Sequence, residues 1–149
     1  MENLKDLELD SFIPYRLSIV SRLAQALLAS ALESMDLTVA HWRIFICINQ
    51  HGSCTLSRIT EFTRLPQSSL SRSIARMSDK GYLVVDRAID DKRNMKIEMS
   101  AEGAKAFEAA VSAVNSRCNE ALKLDAAEEK HLHQTLDYLI ERLQDVERP

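Results

Sequence analysis

The chain has 149 residues, 46% hydrophobic and 28% charged, with a net charge of −3 at pH 7, which suits one domain or one compact lobe with an extension. It contains no uncharged apolar run of membrane-spanning length, and the start Met1-Glu2-Asn3-Leu4-Lys5-Asp6 lacks the basic-then-apolar order of a secretion signal. Three cysteines without C-x-x-C spacing imply neither a disulfide framework nor a cysteine zinc site, so the expectation is a cytoplasmic protein with no membrane partner.

Three Gly and three Pro are few, and the abundance of Ala, Leu, Glu, Arg and Ser predicts a mainly α protein. After an acidic opening dozen residues, Pro14 stands in the first turn of a helix running to about Met35. Its Leu17, Val20, Ala24, Leu27, Leu28, Ala31 and Met35 form an apolar stripe that needs a partner helix, and that partner can lie in another chain. Thr38 is placed to N-cap the next helix, which carries Trp42 and Phe45 and ends at His51-Gly52. Ser53-Cys54-Thr55 then reads as a short strand, with Thr55 capping a helix that contains Ile59 and Phe62.

The breaker run Arg64-Leu65-Pro66 separates that helix from a second, roughly Gln67 to Lys80, and this order predicts a helix-turn-helix. Leu70, Ile74 and Met77 recur at helical spacing toward the core, which leaves Gln67, Ser68, Ser69, Arg72 and Arg76 on other faces. Small hydroxyl residues in the first turn let a backbone approach DNA closely, and Arg72 is long enough to reach a base edge or a phosphate. We expect Gln67, Ser68, Ser69 and Arg72 in a major groove and Arg76 on the adjacent backbone; the competing reading is a surface helix with a solvated basic face.

Gly81 ends the helix, Tyr82 to Arg87 reads as a strand, and Met95, Ile97 and Met99 alternate with Lys96 and Glu98 in a half-buried return strand. The tip Asp90-Asp91-Lys92-Arg93-Asn94 is a candidate wing, in which Asp91 would orient Arg93 for a minor groove. Charge supports this placement: residues 1–56, 57–96 and 97–149 carry nets of −2, +4 and −5. An acidic remainder would help aim a locally basic face at DNA.

From Leu37-Thr38 and Trp42-Arg43, through Ser68-Ser69, Ser71-Arg72 and Arg76, to Gly81-Tyr82-Leu83-Val84, Asp91-Lys92-Arg93, Met99-Ser100 and Gly103, the sequence resembles the MarR family of winged-helix transcription factors. The likeness spans nearly the whole chain in length and element order. Two departures stand out: Met99-Ser100 replaces the habitual Leu-Thr after the wing, and Pro66 stands where a capping Asp or Asn is frequent. The resemblance implies a repressor whose DNA affinity drops when a small, often aromatic or phenolic, ligand binds between reader and dimer helices. It implies a pocket on the first two helices and the helix after the wing, where Tyr15, Arg16, Arg22, His41, Trp42 and Phe45 are available. Arg16 or His41 would pair with a carboxylate, and Trp42 or Phe45 would stack on a ring; alternatively, His41 and Trp42 simply complete the core.

Past the wing, Ser100 is expected to cap a helix with an apolar stripe at Phe107, Val111, Val114, Cys118 and Leu122. Asp125 starts a last helix with Leu132, Leu136, Leu139, Leu143 and Val146, and both stripes are longer than a small wing domain can cover. The expected architecture is therefore a reader at 37–100 with dimerisation helices at 1–36 and 101–149, a homodimer that reads a palindromic double-stranded operator. Cys47 and Cys118 fall in apolar stripes, so a redox sensor would have to use Cys54, and His131 and His133 point to different faces, so no metal site is expected. No nucleotide loop, nucleophile motif or carboxylate cluster marks an enzyme, and no cofactor is implied. The remaining alternatives are a winged-helix regulator without a small ligand, either redox-responsive or a protein-interaction module that uses the same surface.

Overall fold

A computed structural model describes residues 11–86 and 95–147, in which local chemistry sets most helix boundaries. The elements are α1 (Ile13–Glu33), α2 (Val39–His51), β1 (Cys54–Thr55), α3 (Leu56–Thr63), α4 (Gln67–Asp79), β2 (Leu83–Asp86), β3 (Lys96–Met99), α5 (Ala101–Leu122) and α6 (Ala126–Glu147). This is the expected fold class, mainly α with a small antiparallel sheet. α1 opens with Pro14 in its first turn and ends at Glu33, two residues short of the expected Met35. The chain turns there because the N–H of Leu37 bonds back to the Leu32 carbonyl at 3.3 Å and Asp36 adopts φ 51.

Thr38 caps α2 as expected, and reciprocally: its hydroxyl accepts from the His41 N–H at 3.2 Å, while Nδ1 of His41 accepts from the Thr38 N–H at 3.3 Å. Thr55 caps α3 by accepting from the Arg58 N–H at 3.2 Å. Arg64 closes α3 in the left-handed region at φ 56, and Pro66 then precedes α4 without any side-chain cap. α4 stops at Asp79, and Gly81 at φ 75 turns the chain into β2, where a side chain would strain the backbone.

The sheet order is β1-β3-β2, with Cys54 opposite Ile97 and Leu83 opposite Met99. Its alternation is that of a half-buried sheet: Leu83 and Ile97 are buried while Val84 is exposed. Behind it lie Ile44, Phe45 and Ile48 of α2, Ile59 of α3, and Leu70, Ile74 and Met77 of α4, all buried. Each such side chain contributes about 1.5–3 kcal/mol relative to exposure. Phe107 of α5 joins this core through Trp42 and Phe45, with ring centroids 5.7 Å away in both cases, and Tyr82 sits 6.0 Å from Phe45.

Ser100 anchors α5 as expected, and does more. Its hydroxyl accepts from the Gly103 N–H at 2.9 Å and donates to the Gly81 carbonyl at 2.6 Å, while its own N–H donates to the Tyr82 carbonyl at 3.0 Å. The close approach requires Gly103, where an added Cβ would lie 2.0 Å from the Tyr82 oxygen.

The chain divides into two compact units, Met1–Arg117 and Cys118–Pro149. In the second, Asp125 accepts from the N–H groups of Ala127 and Glu128 at 2.8 and 2.9 Å, which starts α6 where the sequence placed it. Along α6, Leu132, Leu136, Ile140, Leu143 and Val146 are exposed. Among the described residues, no helix is long and apolar enough to cross a membrane.

Candidate nucleic-acid interface

α4 is split by its own periodicity. Leu70, Ile74 and Met77 are buried, whereas Gln67, Ser68, Arg72 and Arg76 are exposed and Ser69 is half-buried. Ser69, Arg72, Ser73 and Arg76 line one shallow concavity of about 190 Å³, so two guanidinium-bearing side chains and two hydroxyl residues share a face. Ser73 was missed in the sequence, although its spacing of four from Ser69 puts it on the same face. Arg72 Nε donates to the Ser68 carbonyl at 3.4 Å, which lays its side chain along the helix toward the first turn. No side chain caps that turn; the Ser69 and Leu70 N–H groups both donate to the Pro66 carbonyl, at 3.0 and 3.1 Å, which leaves the Gln67 and Ser68 N–H groups as the ones that favour an anion.

Neighbouring groups brace this helix. Arg43 donates to the Thr63 carbonyl at 3.4 Å, which ties α2 to the end of α3. Arg58 pairs with Glu61 at 3.0 Å on the surface. Lys80, the residue after α4, donates to both the backbone oxygen and the carboxylate of Asp36. The Lys80 ammonium holds the Asp36 carboxyl below its ordinary range. At the base of the hairpin Lys96 pairs with Glu98 at 2.7 Å, and that carboxylate raises the Lys96 ammonium. The expected wing contacts Asp91 and Arg93 lie outside the described residues.

The six candidate ligand residues lie on α1 and α2 and differ in exposure. Tyr15, Arg16 and Arg22 are exposed along the first half of α1, while Phe45 is fully buried. His41 is buried too, and burial, the largest cause, followed by the nearby Lys80 and Arg76 charges, holds its imidazole below the ordinary value. With Nδ1 committed to the α2 cap, His41 serves the fold rather than offering a cation to a carboxylate. Two cavities against α5 contain none of the six. One, about 330 Å³, is lined by Met35, Leu37, Tyr82, Glu102, Lys105, Ala106 and Ala109; the other, about 270 Å³, lies beside Asn49, Met99, Phe107 and Glu108.

The cysteines differ from expectation. Cys54, thought the accessible one, is buried like Cys47, and Cys118 is half-buried. Strand pairing of Cys54 with Ile97 draws it under α2, a long-range effect that residue spacing does not reveal. Among the described residues, no group of three or more His, Cys, Asp and Glu side chains is placed to hold a metal ion. His133 lies 3.9 Å from Glu129 on α6.

A helix-turn-helix (α3 and α4) followed by a hairpin-bearing sheet, with a basic and hydroxyl-rich face on the second helix, defines a winged-helix protein. Residues 35–94 match the model of the MarR family, so that segment is similar to members of this family. None of the curated proteins matches the chain in sequence. Among solved structures, the chain is similar to CouR from Rhodococcus jostii RHA1 bound to p-coumaroyl-CoA, at 16% identity over 97% of both chains with a TM-score of 0.77. It is similar to Bordetella bronchiseptica BpsR, whose DNA binding is regulated by 6-hydroxynicotinic acid, at 18% identity over 89% of this chain and 98% of that one, TM-score 0.75. A mutant MarR from E. coli complexed with operator DNA matches at 23% identity over 93% and 98% of the two chains, TM-score 0.72. At these identities the likeness establishes the fold.

Proposed function

We propose that the protein is a homodimeric repressor that grips a palindromic operator through two copies of α4 and its wing and is released by a small aromatic acid. The observation that carries the reading is the face on which exposed Arg72 and Arg76 lie beside half-buried Ser69 and Ser73, on a helix in the one segment of positive net charge. In this reading Gln67, Ser68, Ser69 and Arg72 enter the major groove, Arg76 contacts the backbone, and Arg93, oriented by Asp91, enters the minor groove.

Dimerisation is supported by what one chain leaves uncovered. Ile13, Val20 and Leu23 on α1 and Leu132, Leu136, Ile140, Leu143 and Val146 on α6 are apolar and exposed, an amount of unpartnered surface that monomers rarely carry. Residues 1–36 and 101–149 then form the dimerisation region and 37–100 the reader. Two readers on a two-fold axis demand half-sites about one helical turn apart and raise affinity beyond that of one head.

For the effector, the cavity beside Tyr82 and Lys105 suits an aromatic carboxylate better than the exposed residues of α1: Lys105, now 3.7 Å from the Glu102 carboxylate that also lines the cavity, would exchange that solvated partner for the ligand, and Met35, Leu37 and the alanines of α5 offer apolar walls. The 6-hydroxynicotinic acid named for the similar BpsR is of this class, whereas the p-coumaroyl-CoA bound to the similar CouR shares the phenolic ring but carries its acyl group as a thioester.

Selection of bound duplexes from a random pool tests the reading directly. The expected result is a palindrome bound by two chains with a steep inverse dependence on salt, weakened by hydroxyaromatic acids. Failure to enrich any duplex, or a monomer by sedimentation at micromolar concentration, would overturn it; a salt-insensitive protein partner on the same face would establish the interaction-module alternative.

A further inference from the structure

Cys47, four residues before the end of α2, and Cys54, the first residue of β1, flank the turn that joins the two elements. Gly52, at φ 72, reverses the chain there, and the two sulfurs come to lie 3.8 Å apart. The Cys54 thiol also reaches the Cys47 carbonyl oxygen at 3.7 Å. Both side chains are buried, and no metal-holding group of three or more ligands occurs among the described residues, so a tetrahedral zinc lacks its remaining ligands there. The pair is a dithiol with each thiol as the other's neighbour. A disulfide has an S–S distance of about 2.05 Å, so closure needs an approach of roughly 1.8 Å.

We propose that Cys47 and Cys54 form a redox modification site, a dithiol that a low-molecular-weight disulfide oxidises to an intrachain bond joining the last turn of α2 to β1. Cys54 lies on a two-residue strand at the edge of the sheet, where local opening is least costly. Exposed by such opening and deprotonated, its sulfur attacks one sulfur of the external disulfide and expels one thiolate. Cys47 then gives its proton to water and attacks the Cys54 sulfur of the mixed disulfide, expelling the second thiolate, which takes up a proton. Two electrons pass from the pair to the reagent: two S–H bonds and one external S–S bond become one internal S–S bond and two free thiols.

Burial, helped by Cys54 alongside, pushes the Cys47 thiol up to about 12, so in the closed fold it is protonated and oxidation waits on opening. The same enclosure shields the product. Because Cys54 is paired with Ile97 of β3, the bond ties α2 to the sheet from which the hairpin projects.

The test uses the full chain carrying Cys118→Ser, which removes the half-buried third thiol without touching the pair. The protein is incubated with excess glutathione disulfide until its thiol count is constant, denatured, alkylated with a maleimide and analysed by intact mass and peptide mapping. The expected result is a monomeric polypeptide with no alkylated thiol, a crosslinked Cys47–Cys54 peptide and a raised unfolding midpoint, all reversed by dithiothreitol. Thiols that remain alkylatable, that each carry glutathione, or that join two chains would overturn the proposal.

Discussion

Replacing Gly103 by Ala reverses the sign expected from helix propensity. In an ordinary helix interior this change stabilises by roughly 0.5–1 kcal/mol, because Gly loses more backbone entropy on folding. Here the new Cβ would sit 2.0 Å from the Tyr82 carbonyl oxygen, 2.9 Å from its carbon and 3.0 Å from Met99 Cγ. The first two are backbone atoms that cannot rotate away, so α5 must move by about 1 Å to reach ordinary contact. That movement pulls on three bonds at once: Ser100 N–H to Tyr82, Ser100 hydroxyl to Gly81, and Gly103 N–H to Ser100. Overpacking costs about 1–3 kcal/mol and a weakened cap about 1 more, so after the propensity gain the net loss is about 1–3 kcal/mol. For a chain of this size that lowers the unfolding midpoint by roughly 2–12 °C at fixed protein concentration. Urea unfolding followed by Trp42 fluorescence is well suited, since that indole packs against Phe107 of the same helix. A Gly103→Ala protein as stable as the parent, or more so, would refute the claim that α5 is pinned to the turn at 81–82.

Ser100→Ala removes the cap without the clash and should cost about 1–2 kcal/mol in the same urea assay. His41 is held below its ordinary value of 6.5 by burial, so the unfolded chain takes a proton that the folded chain refuses. Its contribution is therefore complete above pH 6.5 and declines as pH falls below 6.5 through the lowered folded value; His41→Gln, which keeps an acceptor at the third helical position, should flatten the stability profile in that window. In operator titrations, Arg72→Ala should weaken binding by about 1–3 kcal/mol and relax base preference at one position per half-site. Loss at Arg76 should instead weaken all duplexes alike and reduce the salt slope by about 1 per contact removed, and equal effects from both substitutions would remove the division of labour between them.

Much of this fold was legible because its signals are local. Thr38, Thr55, Ser100 and Asp125 mark helix starts within three residues of the groups they cap, and Leu70-Ile74-Met77 fixes which side of α4 faces outward. What escaped were features made by distant segments. For His41 the sequence leaves a cation for a carboxylate and a core residue both open, and nothing in T-x-x-H announces that the imidazole closes the cap in place of the usual carboxylate. Cys54 read as accessible because its burial depends on a strand more than forty residues later in the chain. The cavity at Tyr82 and Lys105 joins the α1–α2 turn to α5, and none of its seven lining residues falls among the six singled out as ligand candidates.

The bond between Lys80 and Asp36 connects the trailing end of the recognition helix to the corner where α1 gives way to α2. Asp36 is solvated and Lys80 partly so, so the link adds little to stability and can be broken cheaply. Its effect is local: it couples the residue after α4 to the corner at Asp36, at the end of α4 opposite its first turn. A latch of this kind can open and reclose without unfolding the elements on either side of it.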